Sequence, residues 1–247
     1  MYPDLQTVKQ IAAGGAYKRV PVCCEILSDT YTPVEVMRIL RKASRHCYLL
    51  ESASQEEAWG RYSFLGYDPT MEITCLDGEV TIRENLGDGT ETVTTKHVDH
   101  PGDTLREVLT RYKSPVMEKM PTFTGGLVGY FSYDYIKYSE PKLKLTSEGQ
   151  QDFRDMDLML FNEVIAFDHY RQKIMLITGV MTEDIEGSYQ KAERHLEDMA
   201  KLIREGEKET FPTLTAENGD EPVFPKDNTV TWWKKPNSTS VREIFSR

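Results

Sequence analysis

Residues 157–180 read DLMLFNEVIAFDHYRQKIMLITGV, and this stretch decides the fold class. Its β-branched and aromatic residues predict a long strand at 157–167, a turn at 169–172 and an antiparallel partner strand at 173–180. Residues 125–138, GGLVGYFSYDYIKY, predict a second long strand. We expect both long strands to be central strands of the fold.

Helices and shorter strands alternate along the rest of the chain. Capping signals and apolar residues at helical spacing predict helices at 4–13, 32–44 and 182–206. A fourth helix is predicted to begin at a cap formed by Asp103 and Thr104, with Glu107 completing a capping box. Shorter strands are predicted at 17–27 (broken or edged at Pro21), 47–52, 62–66, 71–75, 79–83 and 90–95. Together they predict an α+β fold of antiparallel sheets with packed helices. We expect a domain at 1–206, a linker at 207–228 and a tail at 229–247.

Composition and charge exclude several classes of function. The chain has 247 residues, with 30 Lys plus Arg against 40 Asp plus Glu, and its net charge of −10 argues against a nucleic-acid partner, which needs a basic face. No apolar run approaches the roughly 20 residues that cross a bilayer, so we expect no membrane partner. With no secretory signal at the N-terminus and no C-x-x-C pair, we expect a cytoplasmic protein whose cysteines are buried free thiols.

Three patterns are weak candidates for a site. Imidazoles or carboxylates at short spacing can bind a metal ion, and two sets of residues have this pattern: His97 and His100, and Asp152, Asp155 and Asp157. For both sets, polar residues of a loop are the better interpretation. An aromatic run could stack on a ligand, but its surroundings lack Lys and Arg. We therefore expect core packing for Tyr130, Phe131, Tyr133, Tyr135 and Tyr138.

The most informative local pattern is Leu49-Leu50-Glu51-Ser52. A strand that ends by exposing a carboxylate and a hydroxyl group suits a small zwitterion, with Glu51 facing an ammonium group and Ser52 exchanging a hydrogen bond. Arg61 adds a cation nearby. Ordinary polar residues at a strand end give the same pattern, so the residues alone leave both interpretations open.

Four motifs in order resemble a known family. They are LLES at 49–52, GRYSFLG at 60–66, GGLVGYFSYD at 125–134 and DLML at 157–160. Their order and spacing resemble the N-terminal region of anthranilate synthase component I, over about residues 16–199. The related aminodeoxychorismate synthase component I has the same region, and the LLES form favours the anthranilate enzyme. The resemblance implies an α+β domain of the anthranilate synthase component I type.

In that family, the full-length protein converts chorismate to anthranilate and pyruvate, using Mg²⁺ and ammonia from a glutamine amidotransferase subunit. L-tryptophan inhibits it. The resemblance implies that Ser52, with Glu51 beside it, lines the allosteric tryptophan pocket, and we assign Leu50 and Arg61 to the same site. The catalytic residues, the Mg²⁺ ligands and the chorismate site belong to a C-terminal half that would follow the linker.

We therefore expect no catalytic residue, no cofactor and no chorismate turnover in this chain alone. Unpaired strand edges favour aggregation, so self-association is expected. A stand-alone amino-acid-binding or regulatory module is the other interpretation of the same residues.

A second reading frame accounts for the tail at 229–247. One permitted set of codons for residues 231–247 reads, from its third nucleotide, as MVEKTEFYIREGDIFQ. This resembles the segment that opens the chorismate-binding half of the family. We infer a frameshift near residues 228–231, which makes the tail out-of-frame or disordered.

The nucleotide sequence that encodes residues 231–247 tests this inference. We expect it to contain the second reading in full. Codons that are incompatible with MVEKTEFYIREGDIFQ would contradict the frameshift and leave a flexible, genuinely encoded tail.

Overall fold

The computed structural model of the chain describes residues 1–51, 60–87, 89–140, 142 and 153–210. Its helices are α1 (Leu5–Ala13), α2 (Pro33–Ala43), α3 (Pro101–Arg111) and α4 (Ile185–Glu205), with a 3₁₀ helix at Tyr133–Tyr138. Its strands are β1 (Arg19–Leu27), β2 (Cys47–Glu51), β3 (Tyr62–Tyr67), β4 (Met71–Leu76), β5 (Glu79–Glu84), β6 (Thr92–His97), β7 (Gly126–Phe131), β8 (Met156–Phe161), β9 (Val164–Asp168) and β10 (Lys173–Met181). Within these described ranges, no helix is both long and apolar enough to cross a membrane.

The strands form two five-stranded antiparallel sheets. The first sheet has the order β1-β10-β9-β3-β2, and the second has the order β6-β5-β4-β8-β7. Helices α1, α2 and α4 contribute Val8, Val36, Leu40, Leu196 and Met199 to the core of the first sheet. Helix α3 packs Leu105 and Val108 on the second sheet. The predicted α+β class is confirmed.

The single long strand predicted at 157–167 is wrong. The chain leaves the second sheet after β8, passes through Asn162 and Glu163, and enters the first sheet as β9. Both strands are interior to their sheets, and only the two polar residues Asn162 and Glu163 separate their apolar residues along the chain. A polar break of two residues does not by itself show that the next strand joins a different sheet. The turn and the hairpin partner predicted after β9 are confirmed, because β9 pairs with β10.

The long central strand predicted at 125–138 is also wrong. Strand β7 ends at Phe131, lies at the edge of the second sheet and is followed by the 3₁₀ helix. The Tyr138 hydroxyl holds that helix against the β4–β5 hairpin, since it accepts from the Gly78 N–H at 2.6 Å and donates to the Asp155 carboxylate at 2.7 Å. Core packing is confirmed only for Tyr135 and Tyr138. The side chains of Tyr130, Phe131 and Tyr133 are exposed.

Local signals located the other elements well. Thr32 and Glu35 form the expected capping box of α2, and Asp4 caps α1. Pro21 lies within β1, which is an edge strand and tolerates a residue without an N–H. The cap predicted at Asp103 is wrong, because α3 already begins at Pro101. Proline at the first position supplies a helical φ angle, and the residue before it, His100, makes no side-chain cap hydrogen bond.

Gly129 of β7 leaves no room for a side chain against β8. A Cβ atom at this position would overlap the backbone carbonyl oxygen of Asp157. We expect Gly129→Ala to lower the free energy of unfolding by about 1–3 kcal/mol, the usual cost of overpacking. Urea unfolding followed by circular dichroism measures the change.

Gly102→Ala is the matched control. A Cβ atom there would meet only the Tyr135 hydroxyl, at an ordinary 3.6 Å, and alanine favours the α3 helix in which it lies. Equal stability of the two variants would show that β7 and β8 are not in close contact at Gly129.

Candidate functional site

The candidate site lies in the first sheet, where the C-terminal ends of β2 and β9 lie beside the N-terminal end of β3. We call these three strand ends the site edge. Glu51 ends β2 and pairs with Ser63 near the start of β3. Across β3, Ser63 pairs with Phe167 of β9 and Tyr62 pairs with Asp168. Because neighbouring strands are antiparallel, the last residues of β2 and β9 lie beside the first residues of β3. Side chains from three separate sequence segments therefore converge here.

A hydrogen-bond chain joins Glu51, Ser63 and His169. The Ser63 Oγ lies 2.7 Å from His169 Nε2 and donates to Glu51 Oε1 at 3.5 Å. Ser63 is buried, whereas Glu51 and His169 are exposed. The His169 N–H donates to the Arg61 carbonyl at 2.9 Å, and the imidazole ring stacks near Phe167. The buried hydroxyl thus links two exposed ionisable groups.

An ion pair between Arg61 and Asp168 lies beside these hydrogen bonds, at the same strand ends. The Arg61 guanidinium donates to both Asp168 carboxylate oxygens, at 3.1 and 2.6 Å. It also lies over the rings of Tyr62 and Tyr170, at 4.8 and 5.8 Å from their centroids. The charge of Arg61 is therefore matched by Asp168.

The Asp168 carboxylate accepts more bonds from the turn that follows β9. The backbone N–H groups of Tyr170 and Arg171 donate to it at 3.2 and 3.1 Å. Burial by itself would raise the pKa of Asp168. The hydrogen bonds from Arg61 and the turn outweigh burial and lower the pKa below its ordinary value. Asp168 is ionised at neutral pH.

The sequence analysis identified part of this cluster. Glu51 and Arg61 come to the same edge, although Arg61 is bound to Asp168. Leu50 is 48% exposed and pairs with Phe64, and it points to the opposite face of β2 from Glu51. Ser52 lies outside the described residues.

Sequence reasoning missed Ser63, Asp168 and His169. Ser63 lies inside the GRYSFLG motif, and only the pairing of β2 with β3 shows that it lies opposite Glu51. Asp168 and His169 are more than 100 residues from their partners in sequence. Their place beside β3 follows from sheet order, which no local pattern shows.

The other candidates have structural contacts instead of a common site. Asp155 binds Tyr138 and Lys137, Asp157 binds Arg154, and Asp152 falls outside the described residues. Across the described part of the chain, no group of three or more His, Cys, Asp or Glu could hold a metal ion. Asp155 and Asp157, each held by these contacts, therefore do not form a metal site together.

The four cysteines are free, with Cys23 and Cys75 buried and Cys24 and Cys47 half-buried. Burial raises the pKa of the Cys23 thiol to about 12. A thiol with so high a pKa is inert at neutral pH, which agrees with the predicted structural role.

Comparison with known proteins identifies the family. The family model for chorismate binding enzymes matches residues 45–235. The chain belongs to this family. The match covers all the strands that form the candidate site.

Curated relatives confirm the resemblance to anthranilate synthase component I. Anthranilate synthase component 1 of Acinetobacter calcoaceticus is 33% identical over 204 residues, which cover 81% of this chain and 40% of the relative. The Acetivibrio thermocellus protein of the same name is 29% identical over 100% of this chain and 45% of its own length. The chain thus spans about two fifths of the length of these relatives.

Among solved structures, anthranilate synthase component I from Streptococcus pneumoniae is similar. It is 25% identical to this chain with a TM-score of 0.45, over 72% of this chain and 36% of that structure.

The ion pair between Arg61 and Asp168 predicts a pH-dependent contribution to stability. The pKa of Asp168 is lower in the folded chain than its ordinary 3.8. The stabilisation is therefore present above about pH 4 and is lost as the pH falls through the folded value. We expect Asp168→Asn to lower the free energy of unfolding by roughly 2 kcal/mol at pH 7, the worth of hydrogen bonds to a charged group.

Urea unfolding from pH 7 down to pH 3 measures this, and the difference from the unaltered chain should shrink below pH 4. Asp99→Asn removes the same charge from an exposed loop residue and serves as control. A difference that stays constant with pH would contradict the assigned ion pair.

Proposed function

We propose that this chain is the N-terminal part of an anthranilate synthase component I, and that it carries part of the tryptophan feedback site. The observation that carries the proposal is the similarity to proteins of that name over 81% and 100% of this chain. The reaction of the whole protein would be conversion of chorismate and ammonia to anthranilate and pyruvate in tryptophan biosynthesis.

The tryptophan site is proposed at the strand edge that holds Glu51. Its exposed carboxylate suits the ammonium group of an amino acid, and Ser52 follows it directly in the chain. Arg61 is paired with Asp168 and 33% exposed, so its charge does not cancel that of Glu51. Arg61 contributes to this site by holding Asp168, at the end of β9, next to the start of β3. Leu50, on the other face of β2, borders the site.

Other components of the reaction are proposed for the longer protein. A glutamine amidotransferase subunit would deliver ammonia, and Mg²⁺ and chorismate would bind outside the residues described. The chain spans 40% and 45% of the length of two curated relatives. This supports the proposal that the reaction also requires residues of the longer protein. By themselves, these 247 residues are proposed to make no anthranilate.

Two measurements on the purified 247-residue chain test the proposal. In an ammonia-dependent anthranilate fluorescence assay with chorismate and Mg²⁺, we expect no product above background. In calorimetry, we expect L-tryptophan to bind and Ser52→Phe to abolish the binding, because a bulky ring replaces a small residue of the site. Ser139→Phe places the same ring at an exposed serine that directly follows the 3₁₀ helix, and it should change nothing.

The possible outcomes separate the alternatives. Anthranilate formation would refute the proposed inactivity. Co-purification with the amidotransferase subunit without tryptophan binding would refute the feedback site and favour a fragment of a subunit interface. Equal loss of binding in both serine variants would also count against a site at Ser52.

A further inference from the structure

Strand β7 has an outer edge that no other strand covers within the described part of the chain. It ends the order β6-β5-β4-β8-β7, so its backbone pairs with β8 on one side only. The N–H and C=O groups on its other side are a template for pairing with another strand. A strand that pairs here would extend the second sheet.

The composition of β7 differs from that of the other edge strands. Edge strands usually carry charges or proline, which discourage pairing with another chain. Strand β1 contains Pro21, β2 ends in Glu51 and β6 contains Lys96. Strand β7 reads GLVGYF and contains no proline and no charged residue. Its edge therefore lacks the usual protection against pairing.

Exposed aromatic side chains lie at the end of β7 and just after it. Phe131 and Tyr133 are 52% and 83% exposed, and Tyr130 is 37% exposed. Tyr130 stacks on Phe153 with 5.2 Å between the ring centroids, and the Phe131 ring lies 4.8 Å from that of Tyr135. These contacts order the rings before a partner binds, which lowers the entropic cost of association. Exposed aromatic groups without charged neighbours in the strand are typical of the centre of a protein interface.

Charge favours a second copy of the same chain as the partner. Each copy has a net charge of −10, so two copies repel each other where their charged surfaces meet. Strand β7 brings no charge to such a contact, and Asp157 of the neighbouring β8 is paired with Arg154 at 2.8 Å. Among the four edge strands of the two described sheets, β7 is the one at which identical copies meet without charged residues.

The sequence of β7 also fits its own copy. A twofold axis between two antiparallel copies passes beside one residue, which then lies opposite the same residue of the partner. With the axis at Val128, Tyr130 of one copy lies opposite Gly126 of the other, and Leu127 lies opposite Gly129. Each of these large side chains then has a glycine across from it, which leaves room for it.

We propose that two copies of this chain pair through β7, antiparallel about Val128, and join their second sheets into one continuous sheet. The exposed rings of Tyr130, Phe131 and Tyr133 add contact area on both sides of the axis. The proposal does not depend on the tryptophan site. It assigns the self-association expected from the sequence to one strand and one register.

Analytical ultracentrifugation of the 247-residue chain tests the dimer. The unaltered chain should form dimers that dissociate on dilution over an about hundredfold range of concentration, because association follows mass action. Val128→Lys places two cations opposite each other at the axis and should weaken association at least about tenfold. Val128→Glu should do the same with two carboxylates.

Two controls separate an effect at the axis from a loss of folding. A mixture of Val128→Lys and Val128→Glu pairs a cation with a carboxylate at the axis and should restore association. Val93→Lys changes a 58% exposed valine of β6, at the other edge of the same sheet, and should leave association unchanged.

Disulfide cross-linking tests the register. Opposite residues of an antiparallel pair have Cα atoms about 4.5–5.5 Å apart, which a disulfide can bridge. Under mild oxidation, Val128→Cys should give a covalent dimer on a non-reducing gel. Val93→Cys offers a more exposed thiol and should stay monomeric on that gel, as should the unaltered chain with its four free cysteines.

Three results would count against the proposal. A chain that stays monomeric at every concentration would overturn it and leave the β7 edge to residues of the longer protein. A mixture of the Val128 variants that fails to associate would show that they act through folding and not through the axis. Equal cross-linking of Val128→Cys and Val93→Cys would show that the copies do not meet at β7.

Discussion

A buried arginine at the crossing between the two sheets is the interaction on which the rest of the fold depends. Arg19 is 4% exposed, and its guanidinium donates to the carbonyls of Asn162 at 2.6 Å and Thr124 at 3.3 Å. Burial lowers the pKa of Arg19, which the nearby Glu163 charge partly opposes. In the described part of the chain, its hydrogen-bond partners are backbone carbonyls. A buried cation needs all its donors satisfied, so the backbone at these two points is held to one geometry.

This crossing explains why the candidate site forms in the first sheet. Once the chain has passed Asn162 and Glu163, β9 can lie between β10 and β3. That order brings the end of β9 to the start of β3, where Asp168 meets Arg61. Glycine is required nearby, since a Cβ atom at Gly179 would overlap the Arg19 side chain. The site at the sheet edge is therefore a consequence of a contact at the other end of β9.

Sequence reasoning succeeded where the signal is local. The capping box at Thr32 and the apolar spacing of α4 each depend on residues a few positions apart. It failed at 157–167 because strand composition is the same within one sheet as across two. It failed at 125–138 because the aromatic residues after Phe131 are typical of a strand but form the 3₁₀ helix. Glu51 was found because an exposed carboxylate after an apolar run is visible in the sequence. Ser63 and His169 were missed because hydrogen bonds across 106 residues leave no pattern along the chain.

The sequence by itself determined the fold class, the family and the strand end at which a polar site was expected. These follow from composition, spacing and the order of four motifs, all of which are properties of the chain read in one dimension. Tertiary structure alone decided that Arg61 binds Asp168, that Ser63 links Glu51 to His169, and that residues 157–167 belong to two sheets. Sheet order and register fix those pairings, and they arise from packing and buried hydrogen bonds between segments far apart in sequence.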